Sequence, residues 1–295
     1  MKLARVAAQL ALLLVLGAAI FSDRITSHSY EQQLREATNA PMSREFPLGT
    51  DSLGRDRLAR LLYGTRISLL LAPAAALLAT LLAALVGGLA GYLGGWCDRL
   101  AGRAIDLTLS LPWLFLLITV RALLPLNVSP LTSILITFAL LGLLGWASPA
   151  RVVRAGVRRM RDADFLLHAR ACGCRPWRLF LVHLLPNLKP VLLAQFWTSI
   201  PIFILSEANL GMLGLGVAEP LPSWGNLLRD LENQLSLHPG VLAVLALLIL
   251  VMGCFRAILP AEPLPAGQGT ARAAQKFSIR WPRRTNLGTR KDLHS

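Results

Sequence analysis

Four side chains with metal-binding chemistry lie close together in the middle of the sequence: His168, Cys172, Cys174 and His183. Imidazole nitrogens and thiolate sulfurs are ligands that Zn²⁺ prefers in proteins. The two cysteines are separated by only one residue, however, whereas zinc-binding pairs are usually separated by at least two. We therefore expect no metal site here.

Catalytic chemistry has no support in the residue patterns either. No nucleophile and base stand at a spacing that indicates a catalytic pair, and the sequence contains no Gly-x-x-x-x-Gly-Lys-[Ser/Thr] phosphate-binding loop. The chain is therefore expected not to be an enzyme and to hold no cofactor. The chain is likewise expected not to bind ATP through such a loop.

Two charged residues stand inside long apolar runs. A charged group at the centre of a membrane helix costs about 2.5–3.5 kcal/mol on insertion scales. Glu207 is therefore expected either to pair within the protein or to line a pore. Arg121 lies near the end of its run and is expected to extend its side chain to the membrane surface.

The composition is that of a membrane protein. Of the 295 residues, 54% are hydrophobic and 16% are charged, and the mean hydropathy is +0.54. Soluble proteins carry about 25% charged residues, and a helix needs about 20 mainly apolar residues to cross a bilayer. The sequence predicts an all-α membrane protein with six transmembrane helices, the fifth interrupted by Pro201. The expected spans are 6–21, 67–93, 107–124, 132–146, 190–216 and 241–259.

These spans divide the chain into four expected parts. They are an N-terminal transmembrane anchor at 1–22, a periplasmic segment at 23–66, a core of five spans at 67–260 and a basic cytoplasmic tail at 261–295. The first run also resembles a signal peptide, because basic residues precede an apolar stretch that ends in small residues. An uncleaved anchor is favoured, and cleavage is the alternative.

Membrane orientation explains the net charge of +14. Lys and Arg accumulate in cytoplasmic loops, and nine of the 30 lie at 151–189 and seven at 272–291. With the N-terminus inside, both segments and both termini are cytoplasmic. The basic tail is expected to associate with lipid headgroups. This distribution leaves no basic face on a soluble domain, so nucleic acid is not an expected partner.

The basic segment 151–189 is too large for a simple connection between spans. A helix-compatible run at 151–167 precedes a turn at Gly173 and a second helical run at 176–185, which Pro186 is expected to end. Four apolar side chains in the second run have helical spacing: Trp177, Phe180, Leu181 and Leu184. A cytoplasmic helix-turn-helix of this kind suits a partner with an apolar groove. A hairpin folded against its own spans is the alternative.

This hairpin resembles the EAA loop of ATP-binding-cassette (ABC) importer permeases. That loop contains E-A-A-x-x-x-G and, nine residues later, I-x-L-P. Ala169, Gly173 and the pair Leu185-Pro186 match the motif, whereas Leu167 replaces its Glu and two histidines replace its first Ala and its Ile. The histidines are His168 and His183.

The sequence His-Leu-Leu-Pro-Asn at 183–187 is similar to the dipeptide and oligopeptide branch of these permeases. Residues 47–56, 211–216 and 222–226 resemble the same branch, in the same order. The resemblance covers about 46–259. It implies a bacterial inner membrane importer in which two homologous permease subunits form a pore. Two cytoplasmic ATPase subunits bind ATP, and an external substrate-binding protein delivers the solute.

The resemblance also assigns ATPase docking to the hairpin. The implied docking positions are Leu167, His168, Ala169, Arg170, Gly173, Leu185 and Pro186. Loss of the motif Glu removes a charge at this surface, which makes weaker coupling a possible outcome. Peptides are the implied solute, although nickel chelates and other small solutes are carried by similar proteins. An ion-coupled secondary carrier and a membrane scaffold are the alternative functions.

Overall fold

The computed structural model describes residues 2–125, 127–233 and 239–259. Every regular element in these ranges is a helix, apart from an isolated β-bridge between Thr50 and Asp56. The expected basic tail at 261–295 lies outside the described residues.

The chain begins with α1 (Lys2–Ile20), which covers most of the first expected span. Most of its leucines, among them Leu13 and Leu14, are exposed, as in a helix whose surroundings are apolar. The short α2 (Ser22–Ile25) and a 3₁₀ turn (Arg35–Ala37) follow in a largely irregular segment.

The next helix is longer than predicted. α3 (Arg57–Ala83), a π-helical segment (Ala84–Gly88) and α4 (Leu89–Leu93) form one apolar helix of 37 residues. It begins at Arg57 because Asp56 is its N-cap, and the Asp56 carboxylate accepts a hydrogen bond from the N–H of Leu58.

The third expected span, 107–124, is not a straight helix. α5 (Gly95–Ser110) and α6 (Trp113–Leu123) are bent by 88°. The bend has a local cause, because a residue before proline is restricted to extended conformations. Leu111, which precedes Pro112, has φ −83° and ψ 133°.

The fourth span continues into the hairpin. α7 (Pro130–Leu144) and α8 (Ala147–Arg161) make a helical unit of 32 residues that passes the predicted end at residue 146. The prediction of a single hairpin helix over 151–167 is therefore wrong. Its first part belongs to α8, which ends at Arg161, and its last part belongs to a separate helix, α9 (Asp164–Ala171). α8 continues because its apolar face does, through two buried valines, Val153 and Val157.

The return to the membrane is also continuous. α10 (Pro176–Arg178), a π-helical segment (Leu179–Leu184) and α11 (Leu185–Met212) form a second helix of 37 residues. The predictions that Pro186 ends a helix and that Pro201 interrupts the span are both wrong. Proline clashes with the carbonyl four residues earlier, and the wider π-helical turn before Pro186 accommodates it. Membrane helices tolerate an internal proline when neighbouring groups satisfy the freed carbonyl.

The last elements are α12 (Trp224–Asn233) and α13 (Pro239–Ile258). In the described part of the chain, four helices are long and apolar enough to cross a membrane, the bent pair α5–α6 adds a fifth candidate, and α13 contains a shorter apolar stretch. The predicted all-α membrane fold is confirmed. The count of six spans stays a prediction.

Two buried apolar clusters hold the helices together. The first joins α3, α7, α11, α12 and α13. The second, here called the hairpin core, lies where α9 meets α8 and the start of α11. Its members are Ala83, Ile105, Ala150, Val153, Val157, Leu166, Ala169, Leu179, Phe180, Leu184 and Leu188. We call this end of the bundle the hairpin end, and the opposite end, with residues 26–56 and 213–223, the far end.

Close helix packing supports the hairpin end. A Cβ on Gly87 would lie 2.4 Å from the carbonyl oxygen of Ala150, and one on Gly91 would lie 2.9 Å from that of Arg154. Glycine is therefore needed for α8 to approach this closely. The glycine run serves packing within the chain.

Candidate functional site

The hairpin (residues 151–189) turns sharply after α9. The N–H of Gly173 donates to the carbonyl of Arg170 at 2.9 Å, and the N–H of Cys174 donates to that of Ala169 at 3.2 Å. This pair of hydrogen bonds defines a Schellman helix end, which needs a residue with positive φ. Gly173 has φ +77°, a value that glycine adopts without steric cost. The turn lies at the position that the sequence predicted.

The helix before this turn has two different faces. Leu166 and Ala169 are buried in the hairpin core, whereas Leu167 is 48% exposed and both His168 and Arg170 are exposed. Two of the residues that depart from the permease motif, Leu167 and His168, therefore lie on the outward face. That face is free to contact another protein.

Apolar packing connects α9 to the long helices. Leu166 packs in the hairpin core with Val157 of α8 and with Phe180 and Leu184, which lead into α11. Tyr92 adds a second link, because its hydroxyl donates to the carbonyl of Pro176 at 2.9 Å and its ring lies 5.6 Å from that of Phe180. A displacement of α9 would therefore be passed to both helices.

Ion pairs fix α5 against α8 beside the hairpin. Arg154 Nε lies 2.6 Å from Asp98 Oδ1, and Arg151 Nη2 lies 2.6 Å from Asp106 Oδ1. Arg158 is 3.7 Å from the second oxygen of Asp98. Part of the basic excess of the hairpin thus has a structural role.

The remaining predicted docking residues lie apart from the α9 turn. Leu185 is half-buried and Pro186 is exposed, and both belong to the first turn of α11. His183 lies in the π-helical segment just before them. The structure therefore brings Leu167, His168, Ala169, Arg170 and Gly173 together, and places Leu185 and Pro186 further along the returning helix.

The apolar side chains predicted for one face of the second hairpin helix are divided. Phe180 and Leu184 are buried, but Trp177 is 64% exposed and Leu181 is 39% exposed. The π-helical segment changes the helical register between them. Among the described residues, no three His, Cys, Asp or Glu side chains approach one another as a metal site requires.

Glu207 is fully buried, at 0% exposure, where α11 packs against α3. The hydroxyl of Ser68 lies 3.4 Å from Glu207 Oε2, and Oε1 has no hydrogen-bond partner among the described residues. Close by, Trp224 Nε1 donates to Thr65 Oγ1 at 2.9 Å. The Glu207 carboxyl group thus lies at the contact between α11 and α3, inside the bundle.

Arg121 is buried inside the bundle, whereas its position in the sequence led us to expect a side chain that extends outward to the membrane surface. Its guanidinium lies 3.4 Å from the carbonyl of Pro125 and 3.4 Å from the hydroxyl of Ser133. The Ser133 hydroxyl in turn donates a hydrogen bond to the carbonyl oxygen of Gly216 and accepts one from the N–H of Ala218. The arginine therefore helps to join α6 and α7 to the loop after α11.

The far end contains an ion-pair network that the sequence did not predict, in which Asp51, Arg55 and Arg60 are buried and Glu219 is half-exposed. Arg55 lies 2.7 Å from Asp51 and 2.6 Å from Glu219, and Arg60 bonds the same two carboxylates at 3.0 and 2.9 Å. Burial acts to lower the pKa of Arg55, but its ion pairs with Glu219 and Asp51 outweigh this effect and raise it. We call these four residues the far-end network.

Local sequence signals could reveal only part of this network. Asp51 and Arg55 stand in a stretch that resembles peptide permeases, but Glu219 follows Arg60 by 159 residues. Only the packing of α11 against α3 brings them together.

Comparison with known proteins identifies the chain. Residues 60–261 match the family described as the inner membrane component of binding-protein-dependent transport systems. The chain belongs to this family. The matched region begins in the first turn of α3 and contains every later helix up to α13, with the whole hairpin.

Curated relatives agree with the family match. The chain is 35% identical over 258 residues to the oligopeptide transport system permease protein OppC of Escherichia coli (strain K12), which covers 86% of this chain and 83% of the relative. It is 32% identical over 238 residues to OppC of Bacillus subtilis (strain 168), covering 81% and 76%. It is 34% identical over 228 residues to the dipeptide transport system permease protein DppC of the same organism, covering 77% and 69%.

These matches confirm the class of protein that the sequence predicted. The chain is an integral inner membrane protein and a permease subunit of an ABC importer, and such subunits are not themselves enzymes. Membership in this family implies that it works with a substrate-binding protein and an ATPase.

Proposed function

We propose that this permease subunit carries dipeptides or oligopeptides across the membrane. The relatives with 32–35% identity are named for these solutes, and they match most of the chain. Two of the stretches that pointed to the peptide branch, 211–216 and 222–226, lie within the region that matches the family. A second, homologous permease subunit completes the pore, and two ATPase subunits drive it.

We infer that the outward face of α9 docks on the ATPase. One observation carries this inference: α9 exposes Leu167, His168 and Arg170 on one side and anchors Leu166 and Ala169 in the hairpin core on the other. An element built in this way receives a force on one face and passes it to the spans through the other. Leu185 and Pro186 act by shaping the returning helix.

The hairpin is proposed to lie in the cytoplasm, with both termini, because its charge is strongly basic. The division into an anchor at 1–22, a periplasmic segment at 23–66, a permease core at 67–260 and a cytoplasmic tail at 261–295 follows from this orientation. Glu207 is proposed to act inside the bundle as a structural group.

Thiol labelling of intact cells tests the orientation. Cys172 is exposed and Cys174 is half-buried, both beside the α9 turn. A membrane-impermeant thiol reagent added outside should leave both unmodified, whereas a cysteine introduced at the exposed Arg44 of the far end should react. Modification of Cys172 from outside would reverse the proposed orientation.

The variant Gly173→Pro tests the docking function. Proline cannot adopt the φ of +77° found here, and it has no N–H to donate to Arg170. We expect normal membrane insertion and assembly. In the reconstituted complex, however, substrate should no longer stimulate ATP hydrolysis, and peptide uptake should be lost.

The matched control is Gly156→Ala, at a helical glycine of α8 where an added Cβ makes only an ordinary contact with Leu188 at 3.5 Å. This control should retain uptake. Full activity of Gly173→Pro would contradict the docking role. Uptake by wild-type vesicles that lack the ATPase would instead favour an ion-coupled carrier.

A further inference from the structure

One exposed face of α11 carries polar side chains. Gln195, Thr198, Ile202, Leu205 and Asn209 follow one another in steps of three or four residues, so they share one side of the helix. Thr198 and Asn209 are exposed and Gln195 is half-buried. We call these five residues the polar face of α11.

This face lies at membrane depth. α11 has 28 residues, and at a rise of about 1.5 Å per residue Thr198 lies roughly 20 Å from either end of the helix. The hydrocarbon layer of a bilayer is about 30 Å thick, so the centre of α11 falls within it.

The polar groups of this face are not satisfied within the chain. The Thr198 hydroxyl donates to the carbonyl of Ala194 at 2.8 Å, but the side-chain amides of Gln195 and Asn209 make no hydrogen bond with any residue that the structure describes. An unpaired amide in hydrocarbon costs several kcal/mol. The polar face must therefore adjoin water or another polar surface.

The other exposed side of α11 provides a contrast. Leu193 and Trp197 are each 46% exposed, and both present apolar surface that lipid can cover. At the same depth in the membrane, the side with Leu193 and Trp197 can contact lipid, whereas the polar face of α11 cannot do so without loss of hydrogen bonds.

A cavity of about 170 Å³, open on one side, lies beside the polar face at the bend between α5 and α6. Apolar side chains such as Trp113 and Phe203 form much of its wall, and none of the described residues that line it is charged. Its polar lining groups are those of Thr108, Ser148, Gln195, Thr198 and Ser199.

We propose that this cavity and the polar face of α11 line the route of the transported solute, and that they contact a peptide through its backbone amides. Each peptide unit offers one donor and one acceptor, and the amide of Gln195 supplies both. Because the residues that line the cavity are uncharged, we expect them not to select peptides by the charge of their side chains. The identity of the solute rests on the proposed function, but the position of the route does not.

The position of the route is tested by single cysteines in the assembled transporter, on a background in which the four native cysteines are replaced by serine and uptake is retained. Thr198→Cys should react with a hydrophilic thiol reagent at least about tenfold faster than Trp197→Cys, because lipid shields the latter. Transported peptide should slow the reaction of the first variant only.

Equal reaction of the two cysteines, or no reaction of Thr198→Cys in any nucleotide state, would overturn the proposal. The proposal would also be overturned if Thr198→Cys cross-links to the second permease subunit but does not react with the reagent. In that case the polar face of α11 would be a contact between subunits. If wild-type transporter takes up no peptide but Thr198→Cys still reacts, the peptide function fails and the route stands.

The chemistry of the lining is tested by Gln195→Glu. A carboxylate in the route attracts cations and repels anions, so the ratio of uptake of lysine-containing to glutamate-containing tripeptides should rise several-fold. The control Gln195→Met removes hydrogen bonding without adding charge, and it should lower both uptakes and leave their ratio unchanged. An unchanged ratio in Gln195→Glu would contradict contact between Gln195 and the solute.

Discussion

The two ends of the bundle are stabilised in different ways. At the far end, four charged side chains join the segment before α3 to the loop after α11, and Arg60 is completely buried among them. At the hairpin end, ion pairs hold α5 against α8, but residues 162–189 form no ion pair with any other described residue. The helix α9 is held instead by apolar contacts of Leu166 and Ala169.

This difference suits the far end to keep one arrangement of its helices and the hairpin end to move. Hydrogen-bonded ion pairs in a buried site are directional and are strongly destabilised when one partner is lost. Apolar packing is non-directional, so it keeps α9 attached while α8 and α11 shift with it. We infer that the far-end network maintains the position of α11 against α3 while the hairpin end receives motion.

The largest expected effect comes from breaking the far-end network with Arg60→Met. This change leaves the buried carboxylate of Asp51 without one of its partners, and loss of one member of a buried ion pair costs about 3–5 kcal/mol. Thermal unfolding of the detergent-solubilised protein should show a large decrease in stability. The control Arg66→Met removes a partly exposed arginine 3.9 Å from Asp23, and it should change stability by less than about 1 kcal/mol. Equal effects would mean that the network contributes no more than a surface ion pair.

A pair of adjacent leucines tests the hairpin end. Leu166 is fully buried and Leu167 is 48% exposed. Leu166→Ala should destabilise the hairpin by about 2–5 kcal/mol, seen as earlier proteolysis of residues 162–175. Leu167→Ala should leave proteolysis unchanged but decrease co-purification of the ATPase. The reverse pattern would show that α9 presents its other face to the partner.

The smallest expected effect concerns Asp56, the N-cap of α3 at the far end. Burial raises the pKa of Asp56, although the N–H groups of Leu58 and Ala59 and the nearby His28 act to lower it. Asp56→Ala should lose about 0.5–2 kcal/mol, whereas Asp56→Asn keeps a capping oxygen without a buried charge.

The sign of the pH dependence follows from the raised pKa. The folded state disfavours the ionised carboxylate, so wild-type stability relative to Asp56→Asn should fall as the pH rises from the usual pKa of aspartate through the higher folded value. Above that range the difference should be constant. Measurement of unfolding from acidic to neutral pH checks this, and a rising difference would show that the capping N–H groups outweigh burial.

The sequence located the elements of this protein better than it located their ends. The apolar runs that begin at residues 67, 132 and 190 all lie in long helices, but α3, α8 and α11 extend beyond the predicted limits. The start of α3 is marked by a local signal, the N-cap Asp56, which the prediction did not use. The ends of α8 and α11 depend instead on how these helices pack in the bundle. Pro186 and Pro201 were expected to end or interrupt a helix. That rule holds for an isolated helix, but a membrane helix supported by its neighbours tolerates an internal proline.

The sequence by itself determined that this chain is a helical membrane permease with a basic hairpin, because hydrophobicity, charge distribution and motif spacing are properties of neighbouring residues. The turn at Gly173 belongs to the same group, since only a few consecutive residues define it. The tertiary structure alone decided that Arg60 pairs with Glu219, that Leu167 faces outward while Leu166 faces inward, and that Gln195 and Thr198 border a cavity. Each of these depends on which distant segments pack together, and hydrophobic burial, which has no direction of its own, selects that packing only in the complete fold.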